Sequence, residues 1–148
     1  MRRVKTILIA AGVFGLVVLF ATSMPGLAKE PKAKVPDTFL KMKNPISSSP
    51  RVLEEAKQIF EEKCKKCHGS KGDGKGPGAK QDMDPLPADW TIKADMDKVP
   101  DGRMFWIILN GSEDTDMLGW KKGVAREGKE VSEDQTWKLV HYIRQFAK

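Results

Sequence analysis

Residues 69–100 set the tightest limit on what this chain can fold into. They are rich in Gly, Pro and Asp and show neither helical nor strand periodicity. A structureless connection of that length is uncommon inside a small domain. The helical stretches on either side bring only a modest set of large apolar residues. Such a chain needs something else in its centre, and a bound group with a large apolar surface would serve.

The flanking segments are clearer. From Arg51, apolar residues recur at three- and four-residue steps through Val52, Ala56, Ile59 and Phe60 to Cys64. Ser48 or Ser49 can cap this helix, and Pro50 suits its first turn. A second helix is expected over Asp101–Asn110, where Met104 to Leu109 is almost continuously apolar and Gly111 is a fitting stop. A strand of the same length is the alternative that pattern alone leaves open. A third helix is expected from Glu133 to Phe146. Ser132 and Gln135 form a capping box, and Trp137, Val140, Ile143 and Phe146 form a stripe. No alternating strand pattern is visible, so the predicted class is all-α with long Gly/Pro-rich loops.

The first helix ends in Cys64-Lys65-Lys66-Cys67-His68. Zinc would need about four ligands, usually from two pairs; one pair is present, and the only other histidine is His141, at no usual spacing. Thioredoxin-like chemistry needs a strand-to-helix junction, and none is visible. A plain disulfide leaves His68 without a role. Covalent haem attachment uses all three residues. Two thiols one helical turn apart reach the two vinyl groups of a porphyrin edge, and the adjacent imidazole turns under the iron. Gly69 to Gly76 also fits part of a phosphate-binding loop. It has Gly76 where Ser or Thr would bind magnesium, and no strand precedes it. Its glycines are read instead as letting the backbone pass close to the haem edge.

The chain from about Asn44 to Lys148 resembles the class I monohaem c-type cytochromes. The resemblance is carried by Ile59-Phe60, the Cys64–Gly69 stretch and Gly72-Asp73-Gly74-Lys75-Gly76-Pro77. Pro87-Ala88-Asp89-Trp90-Thr91, Asp101–Ile108 and Trp137–Arg144 extend it in the same order. It implies a small helical domain (51–148) wrapped around one covalent haem c, with first and last helices crossing and Phe60 meeting Tyr142. It also implies that the Pro77 carbonyl accepts from the second ring nitrogen of His68.

His68 leaves one axial position. Met83, Met96, Met104 and Met117 follow the motif. Met104 lies inside the apolar helix and reads as core. Met83 sits in the Gly-rich loop, and Met96 in a charged segment, a less apolar setting. Met117 lies between the last two helices, in a stretch from Gly111 to Trp120 that resembles the family's ligand loop. Leu118 stands where the family commonly has Pro. Met117 is the expected distal ligand, a soft thioether that raises the reduction potential. His141 as a second imidazole, or an open site, are the alternatives. Lys65, Lys66, Lys71, Lys75, Lys121 and Lys122 could form a basic rim that steers an acidic partner, or an ordinary soluble surface.

Residues 1–28 read as a secretory signal: Arg2, Arg3 and Lys5, then an apolar core from Ile7 to Phe20, then small residues before a cut after Ala28. The core is shorter than the about 20 residues of a membrane span. Extended to Ala28, the same run could stay as an anchor. Residues 29–50, with four prolines, several lysines and Ser47-Ser48-Ser49, read as a tether on which Phe39, Leu40 and Met42 lie against the domain. Cleavage would remove three of the charges behind the net +6. The remaining weak basicity, with lysines and acids interleaved, does not point to nucleic acid. The expected role is an exported electron carrier, placed in a bacterial periplasm, that docks transiently on redox partner proteins at its haem edge and is not an enzyme by itself. The alternative is a cytochrome c subunit of a larger exported oxidoreductase. Membrane attachment is expected only if residues 1–28 remain.

Overall fold

The computed structural model describes residues 34–148. The signal-like segment, 1–28, and the start of the tether lie outside these residues. Six helices follow in order: α1 (Asp37–Leu40), α2 (Pro50–Lys63), α3 (Lys65–His68), α4 (Lys93–Met96), α5 (Asp101–Asn110) and α6 (Glu133–Arg144). Among the described residues there is no strand, only one isolated bridge between Gly111 and Leu118. No described helix is long and apolar enough to cross a membrane.

The long helices start where local chemistry favours it. Ser49 caps α2, its Oγ accepting from Val52 N–H at 3.2 Å, with Pro50 next. Ser132 caps α6 in a reciprocal box: Ser132 Oγ accepts from Gln135 N–H at 3.1 Å and Gln135 Oε1 accepts from Ser132 N–H at 2.9 Å. These bonds satisfy amide donors that would otherwise have no partner at a helix start. The Met104–Leu109 run is helical rather than extended. Its burial explains the lack of a polar face: Met104, Phe105, Ile108 and Leu109 are all in the core, between α1 and α6.

The organising contact is the packing of α2 on α6. Ala56 and Phe60 of α2 are fully buried, as are Leu139 and Val140 of α6. Phe60 meets Tyr142 with ring centroids 5.2 Å apart and Phe146 at 5.3 Å, as the family resemblance implies. Lys138 ties the two helices together, donating to Glu55 and to Asp134 at 2.7 Å each. On the other flank Phe105 stacks on Trp137 at 4.1 Å.

The segment read as a tether is docked over much of its length. Phe39 lies over Phe105 at 6.3 Å, and the Phe39 carbonyl sits where any side chain at position 102 would be. Asn44 Nδ2 donates to the Trp137 carbonyl at 2.9 Å, and His141 Nε2 is 2.6 Å from the Ile46 carbonyl. His141 is therefore engaged by this strap. Two short helices escaped the periodicity, α1 and α4, each one turn long. α4 corrects the reading of Met96: it is 3 % exposed and belongs to the core. Arg144 secures that region, its guanidinium donating to the Met96 and Val99 carbonyls and to Asp101 Oδ1 at 2.7 Å. Truncating the ring at the main crossing, Phe60→Ala, should cost about 3–5 kcal/mol of stability, measured as a lower denaturant midpoint of the holoprotein.

Candidate functional site

The motif occupies a turn of its own. α2 stops at Lys63. Cys64 joins the helices at φ −112°, ψ −38°, and α3 carries Lys65 to His68. The Cys64 carbonyl accepts from both Cys67 N–H (3.1 Å) and His68 N–H (3.0 Å), which draws the three motif side chains onto one turn. Both cysteines are free and half-buried. Burial pushes the Cys64 thiol up to about 12, against the opposing pull of the Lys63 ammonium. The turn closes at Gly69, which takes φ +76°.

Beyond Gly69 the loop folds back on the motif. Gly74 N–H donates to the His68 carbonyl at 3.0 Å, Gly76 N–H to Cys67 at 3.1 Å and Gly78 N–H to Lys66 at 2.7 Å. The end of α3 thus has its open carbonyls satisfied by loop amides. The glycines have a role within the chain itself. A Cβ at Gly76 would lie 2.3 Å from the Lys66 carbonyl oxygen, and one at Gly74 2.3 Å from that of Pro87. They let backbone approach backbone.

His68 is buried, and burial lowers its pKa to about 4, so the imidazole is neutral at ordinary pH. Its Nδ1 is buried without a hydrogen-bond partner. The bond expected from this atom to the Pro77 carbonyl is therefore not made. Pro77 lies beside the motif, between two glycines whose amides bond α3, and it is exposed. The imidazole instead stacks on Trp90, centroids 4.1 Å apart and planes 13° apart. In the sequence Trp90 stands out only as part of the Pro87–Thr91 block. A tryptophan alone in a polar loop was the available signal.

Met117 belongs to a separate closed loop between α5 and α6. Ser112 N–H donates to the Met117 carbonyl at 2.9 Å, and Met117 N–H to Thr115 Oγ1 at 3.2 Å. The residue is half-buried, whereas Leu118 is 73 % exposed. Among the described residues no hydrogen bond or ring contact joins Met117 to the motif. Met104, like Met96, is in the core, and Met83 is half-buried. Of the lysines read as a rim, Lys65 pairs with Glu61 and Lys121 donates to Asn110 Oδ1 at 2.7 Å. Lys63, the residue before Cys64, is a cation the sequence did not single out: its Nζ lies 5.2 Å from the Trp120 ring centroid and donates to the Lys129 carbonyl at 3.2 Å.

The cytochrome c family pattern matches residues 53–147, which span α2 through α6 and the motif turn. The chain belongs to the cytochrome c family. Members of the family bind haem c, an iron porphyrin, covalently and transfer electrons. No curated protein matches the chain. Among solved structures, it is similar to a chain of the reducing HAO-like protein complex of Kuenenia stuttgartiensis, at 26 % identity and a TM-score of 0.56. The similarity covers 82 % of this cytochrome and 53 % of that chain, so this protein corresponds to about half of its neighbour's length.

The residues present fit a haem c. Two unpaired thiols share one turn with a neutral, buried imidazole, the set of groups that covalent haem attachment and axial ligation need. The cradle's tolerance is testable at Gly76. Gly76→Ala should destabilise the holoprotein by about 1–3 kcal/mol in chemical denaturation, because the α3 carbonyl must give way to the methyl.

Proposed function

We propose that this cytochrome is an exported, periplasmic electron carrier in which Cys64 and Cys67 form the two thioethers, His68 is the proximal ligand and Met117 the distal one. The observation that carries the reading is the motif turn itself, with two free thiols and a neutral buried imidazole held by loop amides. Bound haem supplies a one-electron Fe(III)/Fe(II) couple. Cys64 and Cys67 fix the porphyrin edge to α3. His68 presents a neutral nitrogen. Met117 offers a soft sulfur from a loop closed at both ends, and Met ligation favours ferrous iron. With His68 and Met117 both holding the bound group, the chain would leave no ligand position for a substrate; the protein would pass electrons at an exposed edge to a docked partner and would not be an enzyme by itself. His141 is a poor rival for the iron because it already bonds the Ile46 carbonyl.

A second reading, a haem subunit of a larger exported oxidoreductase, is favoured by the similarity to a chain of a reducing complex. The two share the same site chemistry and differ in the partner. A stable copurifying protein would favour the subunit.

The visible spectrum of protein matured in an exporting host tests the site. A low-spin spectrum with the weak sulfur-to-iron band in the oxidised form is expected. A high-spin spectrum would overturn Met117 ligation. Cys64→Ser with Cys67→Ser should abolish covalently retained haem on a denaturing gel. Met117→Ala should remove the sulfur band and lower the potential, read by redox titration.

A further inference from the structure

A ligating imidazole is usually oriented by its second ring nitrogen, which donates to a carbonyl or carboxylate. That device is missing here. His68 Nδ1 is buried and bonded to nothing, and the Pro77 carbonyl does not accept from it. Rotation of an imidazole about its Cβ–Cγ bond is broad when nothing opposes it. Some other contact must hold the plane.

We propose that Trp90 is the positioning residue for His68, its indole fixing the plane of the imidazole by stacking. The inference rests on the reading of His68 as an iron ligand. At 4.1 Å between centroids and 13° between planes, the two rings lie flat on one another. Turning the imidazole about Cβ–Cγ would drive its edge into the indole. The stack therefore opposes the one rotation that the missing hydrogen bond leaves free.

Trp90 can do this because it is itself held from several sides. Its backbone N–H donates to the Gly72 carbonyl at 2.7 Å. The next peptide is pinned by Asp89, whose carboxylate accepts from Thr91 N–H at 2.9 Å and Thr91 Oγ1 at 2.6 Å. The indole lies 6.3 Å from Phe146, nearly parallel, and 6.4 Å from Phe60. Gly72, the acceptor, is itself backed by the Phe146 ring, which a Cβ there would approach to 2.6 Å. Phe60 and Phe146 come from the α2–α6 crossing, so the orientation of His68 is referred to the rigid part of the fold. An indole face also gives Nδ1–H no strong acceptor. The ring is oriented without the added basicity that a carboxylate or carbonyl partner confers.

The test uses the mature holoprotein and two variants, Trp90→Phe and Trp90→Leu. In the ferrous, diamagnetic wild type, nuclear Overhauser effects should connect the His68 ring protons with the indole protons of Trp90. Their absence overturns the proposal whether or not either variant matures. In the ferric state, the order and spread of the haem-methyl shifts report the plane of the axial imidazole. Trp90→Phe, which keeps a flat ring, should retain the wild-type order. Trp90→Leu, apolar but unable to stack, should change the order while its spectrum stays low-spin. An unchanged order in Trp90→Leu overturns the proposal, as does a Trp90→Phe shift as large as that of Trp90→Leu. A wild type without low-spin haem is a different failure, that of His68 ligation itself, and is visible before any variant is made.

Discussion

The burial of Phe60 against α6 is the contact on which the rest of this structure depends. The ring is wholly removed from water and meets Tyr142 and Phe146 of the last turns of the chain. Burying an aromatic ring and pairing it with two others is among the largest single contributions a small domain can make. It fixes where α2 ends, and the cysteine-bearing turn begins one residue later. The same aromatic group extends through Phe146 to Trp90. The crossing thus sets both the origin of the motif and the wall against which His68 lies.

Around that crossing, the irregular segments are built from backbone rather than side-chain contacts. The loop after Gly69 donates alternate amides, from Gly74, Gly76 and Gly78, to α3 carbonyls and comes so near that a methyl group at Gly76 would meet the Lys66 carbonyl. This explains how so long a connection can be ordered: its polar groups are spent on the motif turn instead of on water. A neutral, buried His68 belongs to the same economy. A charged imidazole there would have to be desolvated without a counter-ion, and burial alone moves its pKa to about 4.

The parts legible in the sequence were those governed by local rules. α2, α5 and α6 follow from spacing and from caps at Ser49 and Ser132, and the Phe60–Tyr142 meeting followed from the family resemblance. What escaped was set by contacts between residues distant in sequence. One-turn helices leave no periodic trace, so α1 and α4 were invisible, and Met96 read as lying in a less apolar setting because its neighbours Asp95, Asp97 and Lys98 are charged. The His68–Trp90 stack joins residues across the loop that had no pattern at all. The Pro77 carbonyl was carried over by resemblance, and the geometry of this chain leaves His68 Nδ1 without it.

The docked strap also changes how far this domain can travel. Read as a tether, residues 29–50 would give an anchored chain a contour of about 75 Å at about 3.4 Å per residue. Phe39, Asn44 and Ile46 are committed to α5 and α6, and the helix that carries Phe39 begins at Asp37. Residues 37–46 are packed on the domain and add nothing to that reach, which removes about 34 Å of it by the same measure. A cytochrome retained through residues 1–28 would be held nearer the bilayer than a free tether allows, and would meet its donors close to the membrane surface.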